Sequence, residues 1–400
     1  MPNPYANLIL GWERRLNRVD PDRRVRPFDW GSEWLRQTPV SGLPPWLATA
    51  PPAEVLPALR AWNDRVVAQS RDFFAYAPVH DYSLCGDELG FTSPVEAACD
   101  GYEPSGGPLP PVEAHPQVTS AGVPSAQHGG GGGSGPATRG EPLASACPEN
   151  RRVHARWFPV RGQSRAVIVV AQWNADAQGH IGLCRLFQRA GIASLRVSMP
   201  YHDRRRPAHL KRAEYTVDSN VGRTIHAARQ AVCDIRASVD WLESEGYRDL
   251  GIVGTSLGSC YALLTSAHDP RLRVNVFNHV SHYFGDVVWT GLATAHVRQG
   301  LETHLDQAQL REAWRAISPA SYLDQFVATS REHPKKNLLI WAKYDPCFLP
   351  EFSRRVLESF ERLGLHHEAH GLPCGHYTIG RAPFKYVDAY LMVRFLRRWL

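Results

Sequence analysis

The sequence predicts an α/β fold: a mostly parallel central sheet with helices on both faces. From residue 164 onward, short apolar runs alternate with longer helix-like stretches, the pattern of parallel strands joined by crossover helices. The run Ala166-Val167-Ile168-Val169-Val170-Ala171 is apolar at every position, as a strand covered on both faces must be. Between Thr224 and Glu245, residues Ile225, Ala228, Ala231, Val232, Ile235, Val239 and Leu242 fall on one stripe of a long amphipathic helix.

The elements follow in chain order. Residues 1–80 read as helical and irregular, with helix-like apolar spacing from Ala53 to Phe74. Together with a first strand, residues 1–102 form an N-terminal arm, packed on the core or lying over a pocket. Residues 103–147 change character, with many prolines leading to Gly129-Gly130-Gly131-Gly132-Gly133-Ser134-Gly135; such a stretch reads as a flexible insertion. Glu88 to Val95 before it and Arg151 to Val160 after it are strands that can pair as a hairpin around that insertion. Residues 148–400 form the main domain. After Ala166–Ala171 come a helix at 180–190, ended by Gly191, and a strand at 192–197. The strand Leu250–Gly254, a helix from Ser256 and the strand Val274–Phe277 follow. Residues 283–334 are mostly helical and read as a cap. A strand at 337–342, a helix at 351–363, a weak strand at 366–370 and a closing helix at 386–400 complete the chain.

Composition narrows the function classes. The 400 residues carry 45 Lys+Arg against 39 Asp+Glu, a formal net charge of +6, and 43% are hydrophobic, which excludes a wholly disordered chain. No charge-free stretch is long enough to cross a bilayer, so no stable membrane span is expected. The basic cluster Arg204-Arg205-Arg206, with Lys211 and Arg212, has no nucleic-acid-binding motif beside it; it reads as a solvated loop, and no nucleic-acid partner is expected. Eight irregularly spaced cysteines without a CxxC argue against a disulfide framework, and the N-terminus lacks a secretory apolar core. The expectation is a cytoplasmic protein with reduced thiols.

Gly254-Thr255-Ser256-Leu257-Gly258 fits G-x-S-x-G between a short apolar strand and a helix of small residues. A chain turning sharply from strand to helix leaves no room for side chains two residues either side of the serine. Ser256 then stands at a helix N-terminus, where free N–H groups favour developing negative charge. A serine nucleophile needs a base, and the base an orienting carboxylate. Asp345 follows the strand at 337–342 and His376 follows the last weak strand, giving the order Ser, Asp, His at the carboxyl ends of successive strands. Asp286, which also follows a strand, is an alternative acid or a helix N-cap. His366, His367 and His370 are alternative bases. The cluster His366, His367, His370, Cys374 and His376 matches no fixed zinc template, and no metal is expected. The oxyanion hole should use the Leu257 N–H and a second from the loop Gln172-Trp173-Asn174-Ala175-Asp176, with Trp173 or Asn174 as donor. Met199-Pro200-Tyr201-His202-Asp203 follows the next strand and reads as the pocket mouth or a tight turn.

On Gly254-Thr255-Ser256-Leu257-Gly258, Asp345 and His376, residues 151–400 resemble the alpha/beta-hydrolase superfamily. Phe28-Asp29-Trp30-Gly31, Pro148-Glu149-Asn150 and Met199-Pro200-Tyr201-His202 are similar to its alpha/beta hydrolase domain-containing 18-type branch. The resemblance implies the alpha/beta-hydrolase fold with eight strands, a serine nucleophile and no cofactor. The His-Gly pair usual after the first central strand is missing here. The expected activity is serine-dependent cleavage of a carboxylic ester or related acyl bond in a small-molecule or lipid-like substrate. A catalytically silent binding or scaffold protein, and an acyltransferase or C–C hydrolase with the same triad, are the other readings.

Overall fold

The structure is a computed structural model that describes residues 3–19, 22–44, 47, 51–95 and 147–400. The expected flexible insertion at 103–147 lies outside the described residues except for Cys147, which is buried.

Nine strands form one sheet: β1 (Ser83–Cys85), β2 (Glu88–Thr92), β3 (Arg152–Phe158), β4 (Arg165–Val170), β5 (Ala193–Val197), β6 (Asp249–Thr255), β7 (Leu272–Asn278), β8 (Lys336–Ala342) and β9 (His367–Leu372). Their order is β1-β2-β3-β5-β4-β6-β7-β8-β9. The first three are antiparallel to their neighbours, and the six from β5 to β9 run parallel. β2 pairs with β3 as the alternation on either side of the long insertion implies, with Glu88 opposite Arg156 and Thr92 opposite Arg152. The ninth strand is the exposed three-residue edge β1, too short to leave a periodic trace in the sequence.

Alternation along β4 divides the core. Ala166, Ile168 and Val170 join the larger cluster, which includes the helices Val221–Ser244 and Leu257–His268. Val167 and Val169 face the opposite cluster, formed with the helices Ile181–Arg189 and Phe384–Trp399. A strand with period-two side chains, buried on both faces, must be apolar throughout, as β4 is.

β4 is followed in the sheet by β5 on one side and β6 on the other, so the chain reverses direction of travel there. In open α/β sheets such a switch point opens a crevice at the carboxyl ends of the strands. The loop after β4 and the turn after β6 meet in that crevice.

The basic cluster is not a solvated loop throughout. Arg205 is fully buried, 2.8 Å from Asp234, and donates to the Ser198 and Asn150 carbonyls. Arg212 is also buried, while Arg204 stays exposed on Glu88. Burial of a guanidinium is tolerable only with such partners. Sequence pattern alone did not register them, because Asn150 and Asp234 lie tens of residues away. The seven described cysteines are free. Among the described residues no helix is long and apolar enough to cross a membrane.

Candidate active site

The turn after β6 is built by two glycines. A Cβ on Gly254 would lie 2.3 Å from the Gly258 carbonyl oxygen, and one on Gly258 would lie 2.4 Å from the Val170 oxygen and 2.5 Å from that of Ala171. Neither space exists for any other residue. Ser256 between them has φ 57° and ψ −122°, a backbone region disfavoured for a residue with a side chain. Its N–H donates to the Asn278 carbonyl at the end of β7 (2.8 Å), which holds the turn in place.

Three chain segments converge on Ser256. His376, after β9, places Nε2 3.1 Å from Ser256 Oγ. Asp345, after β8, places Oδ2 2.8 Å from His376 Nδ1. The other carboxylate oxygen, Oδ1, accepts from the Cys347 N–H at 2.7 Å and the Phe348 N–H at 2.8 Å. Two carbonyls tie the loops together: Lys343 N–H donates to Leu372 and Tyr344 N–H to Cys374. Burial alone would push the Asp345 carboxyl up. The imidazoles of His376 and His279 outweigh it and hold the acid well below the ordinary carboxylate range. Burial likewise works against a charged His376, but Asp345, with help from Glu13, carries its pKa above the ordinary histidine value.

Asp286 and the other histidines lie elsewhere. Asp286 sits inside the helix Phe284–Thr290 rather than capping it, and pairs with Arg311 at 2.8 Å. His366 packs edge-on against Trp399, His367 bonds to the Leu365 carbonyl, and His370 lies within β9.

In the loop after β4, the two backbone amides expected as oxyanion donors differ in their contacts. The Asn174 N–H donates to His202 Nε2 at 3.0 Å, and His202 Nδ1 lies 2.9 Å from the Pro200 carbonyl. His202 therefore carries its proton on Nδ1 and accepts at Nε2. Burial pushes its pKa down to about 4, which keeps it in that neutral form. The Trp173 indole donates to the Ala213 carbonyl, and the Ala213 N–H donates to Asn174 Oδ1. The loop is thus pinned from behind, with the Asn174 amide already engaged. Among the described residues nothing accepts from the Trp173 amide. Leu257 is the first residue of its helix, so its amide has no carbonyl partner there. Met199–Asp203 does not line the cavity; it backs the loop that does.

Ser256 opens into a cavity of about 870 Å³. Its lining includes the apolar Val217, Leu257, Phe284, Val287, Val288 and Phe348 and the polar His180, Asn278, Lys385 and Asp388. Burial pushes the Asp388 carboxyl up to about 7, although it accepts from Asn278 Nδ2 at 3.1 Å.

Two contributors escaped the sequence. Glu13, on the N-terminal helix Pro4–Arg18, is fully buried. Its carboxylate accepts from the Tyr377 N–H at 2.9 Å and the Thr378 N–H at 2.8 Å, beside His376. A Cβ on Gly375 would lie 2.4 Å from Glu13 Cδ, so the glycine makes room for that carboxylate. Leu16 and Arg23 of the same arm line the cavity. His279, just after β7, lies 2.9 Å from Asp345 Oδ2 through Nδ1. A histidine after a parallel strand was a legible signal for it; nothing in the sequence ties Glu13 to a loop more than 360 residues later.

His279, Asp345 and His376 bring three donor atoms within 4.8 Å of one another, the one such group among the described residues. Tetrahedral ligands about 2.0–2.2 Å from a zinc ion stand roughly 3.3 Å apart. The N···O distances here are 2.8 and 2.9 Å, a hydrogen-bond spacing.

Residues 182–337 match the family model described as alpha/beta hydrolase domain containing 18. With that match, the sheet order and the strand-turn-helix at Ser256 assign the fold. The chain has the alpha/beta-hydrolase fold. A search of curated proteins finds no match. Among solved structures, this chain is similar to an acylaminoacyl peptidase from Pyrococcus horikoshii at 13% identity and a TM-score of 0.49, over 62% of this chain and 40% of that one. It therefore spans about two fifths of that protein's length. An esterase from Pyrococcus furiosus is 16% identical with a TM-score of 0.44, over 62% of this chain and 86% of that one. Acetyl xylan esterase 1 from Thermoanaerobacterium is 14% identical with a TM-score of 0.46, over 62% and 79%.

Proposed function

We propose that this chain is a serine hydrolase that cleaves a carboxylic ester or related acyl bond. The observation that carries the reading is the chain of contacts from Ser256 Oγ through His376 to Asp345, at 3.1 and 2.8 Å, opening on a cavity whose lining includes Phe284, Val287 and Val288. Ser256 Oγ attacks the acyl carbonyl as His376 Nε2 takes its proton. Asp345 accepts from His376 Nδ1–H, fixes the tautomer that leaves Nε2 as the base, and stabilises the imidazolium that forms. The N–H groups of Leu257 and Trp173 receive the oxyanion. His376 returns the proton to the leaving group; a water, deprotonated by the same imidazole, then attacks the acyl-enzyme, and that proton passes to Ser256 Oγ as its bond to the acyl carbon breaks. The apolar wall formed with Phe284, Val287 and Val288 takes the acyl chain of a small-molecule or lipid-like substrate, which gives the segment 283–334 the role of a cap. Buried free thiols suit a reducing compartment, the cytoplasm.

Steady-state hydrolysis of p-nitrophenyl esters of increasing chain length tests this reading. Ser256→Ala is expected to lower kcat by about 10⁴-fold or more, with an unchanged fold. Equal turnover by the variant and the wild type would remove Ser256 as the nucleophile.

A further inference from the structure

Asp345 has a second imidazole beside it. Oδ1 accepts two backbone amides, from Cys347 and Phe348. Oδ2 has His376 Nδ1 at 2.8 Å and His279 Nδ1 at 2.9 Å. A carboxylate offers about four lone-pair sites, and four nitrogens stand within 2.9 Å of its oxygens. The side chains of both Asp345 and His279 are almost completely excluded from solvent.

The tautomer of His279 follows from its surroundings. Neither ring nitrogen has a regular hydrogen-bond partner among the described residues; Nδ1 meets Asp345 Oδ2 at 2.9 Å, off the line of a regular hydrogen bond. A proton on Nε2 would leave the Nδ1 lone pair facing the carboxylate at that distance, whereas a proton on Nδ1 turns the contact from repulsive to attractive. The backbone supplies a second, independent observation. His279 has φ 61°, in the left-handed region that side chains rarely enter, directly after a strand. Its amide donates to the Ile340 carbonyl and its own carbonyl accepts from Ser259 Oγ, on the helix that Ser256 begins. A disfavoured conformation held this firmly at a reaction centre indicates a side chain that must point one way.

We infer that His279 is a positioning residue for the proposed hydrolysis: its Nδ1–H holds the Asp345 carboxylate in the orientation that presents Oδ2 to His376, and shares the negative charge on that oxygen. The inference rests on the triad reading above. His279 lines the cavity, with its ring centroid 4.9 Å from that of His376, but takes no part in the attack by Ser256 in this scheme. It acts through Asp345, as a fourth member of the line His279–Asp345–His376–Ser256. Sharing the charge limits how strongly Asp345 holds a proton on His376, and so how far the base departs from a working pH. The other titratable groups around this centre are Glu13, Cys347, Cys374 and Tyr377; burial pushes both thiols and the phenol up, so they stay neutral.

The test compares wild type, Ser256→Ala, His279→Ala and His279→Asn in ester hydrolysis across pH. Asparagine tolerates the left-handed backbone and places its Nδ2–H where Nδ1–H stood. His279→Ala is expected to lower kcat roughly 10- to 100-fold with KM little changed, as for loss of a hydrogen bond to a charged group. Its acidic limb should move to higher pH, because Oδ2 without its second donor holds the His376 proton more tightly. His279→Asn should recover most of the rate and return the limb toward that of the wild type. A folded His279→Ala with wild-type kcat and limb would overturn the inference alone, provided Ser256→Ala is inactive. Turnover that survives Ser256→Ala would overturn the triad reading and this inference with it. If His279→Ala does not fold, proton NMR of the wild type and His279→Asn decides. Two low-field imidazole N–H resonances, of which the asparagine variant keeps one, support the inference; one resonance unchanged by the substitution overturns it.

Discussion

The turn that carries Ser256 and the loop that carries His376 sit side by side, yet they are held in opposite ways. The serine turn is specified locally. Gly254 and Gly258 are two residues away on either side, and each is required because backbone atoms occupy the space of a side chain. The histidine loop is specified from a distance. Its shape depends on Asp345, some thirty residues earlier, and on Glu13, near the start of the chain, whose carboxylate takes the two amides that follow His376. One half of the site is written as a motif; the other exists only once the ends of the chain have met.

The contrast can be broken from either side. Gly258→Ala is expected to have the larger effect. The new Cβ meets two backbone oxygens at 2.4 and 2.5 Å, so β4 or the helix must move, and the loop bearing Trp173 moves with it. A loss of about 1–3 kcal/mol in stability follows from such overpacking, and a misplaced oxyanion loop should lower kcat about 100-fold. Thermal unfolding and steady-state rates on the same preparation check both. Glu13→Ala acts on the distant half. It leaves two amides without their acceptor and empties the space that Gly375 leaves open, at a cost of about 1–3 kcal/mol. kcat should fall roughly tenfold as His376 loses its fixed position, and Glu13→Gln, which keeps an acceptor oxygen, should lie between. A Glu13→Ala protein with wild-type kcat would mean that the arm merely packs on the site.

The smallest effect is one of pH. His376 acts as a base only when neutral, and its pKa is raised by Asp345 and Glu13. The activity of the wild type should therefore rise with pH through a midpoint above the ordinary histidine value of about 6.5, and Glu13→Gln should lower that midpoint. Stability carries the matching signs. The raised His376 pKa contributes stability that is fully present below the unfolded value and is lost as pH rises through the folded one. The lowered Asp345 pKa contributes stability present above the ordinary carboxylate value and lost as pH falls through the folded one. Rate profiles and urea midpoints across pH measure the two.

The same division explains what the sequence disclosed. Strands β4, β6, β7 and β8 announced themselves as apolar runs, and the order of Ser256, Asp345 and His376 followed from their positions after strands. The pairing of β2 with β3 was legible across the insertion because both strands alternate. The loop after β4 was legible as a wall of the cavity, but the capture of its Asn174 N–H by His202 was not. His202, which takes the Asn174 amide, reads as part of a pocket mouth or of a tight turn until its buried contacts are known. Arg205 reads as solvated because nothing local marks Asp234 as its partner. Period and punctuation reveal elements and turns; pairings between distant polar groups leave no such trace.

The proposed chemistry makes Ser256 an activated nucleophile. Labelling with a fluorophosphonate probe, on wild type and Ser256→Ala and followed by peptide mapping, tests this at the residue itself. One adduct is expected, on the Ser256 Oγ, absent from the variant and formed faster as pH rises through the His376 pKa. A folded wild type that takes no label, or takes it at another residue, would contradict it.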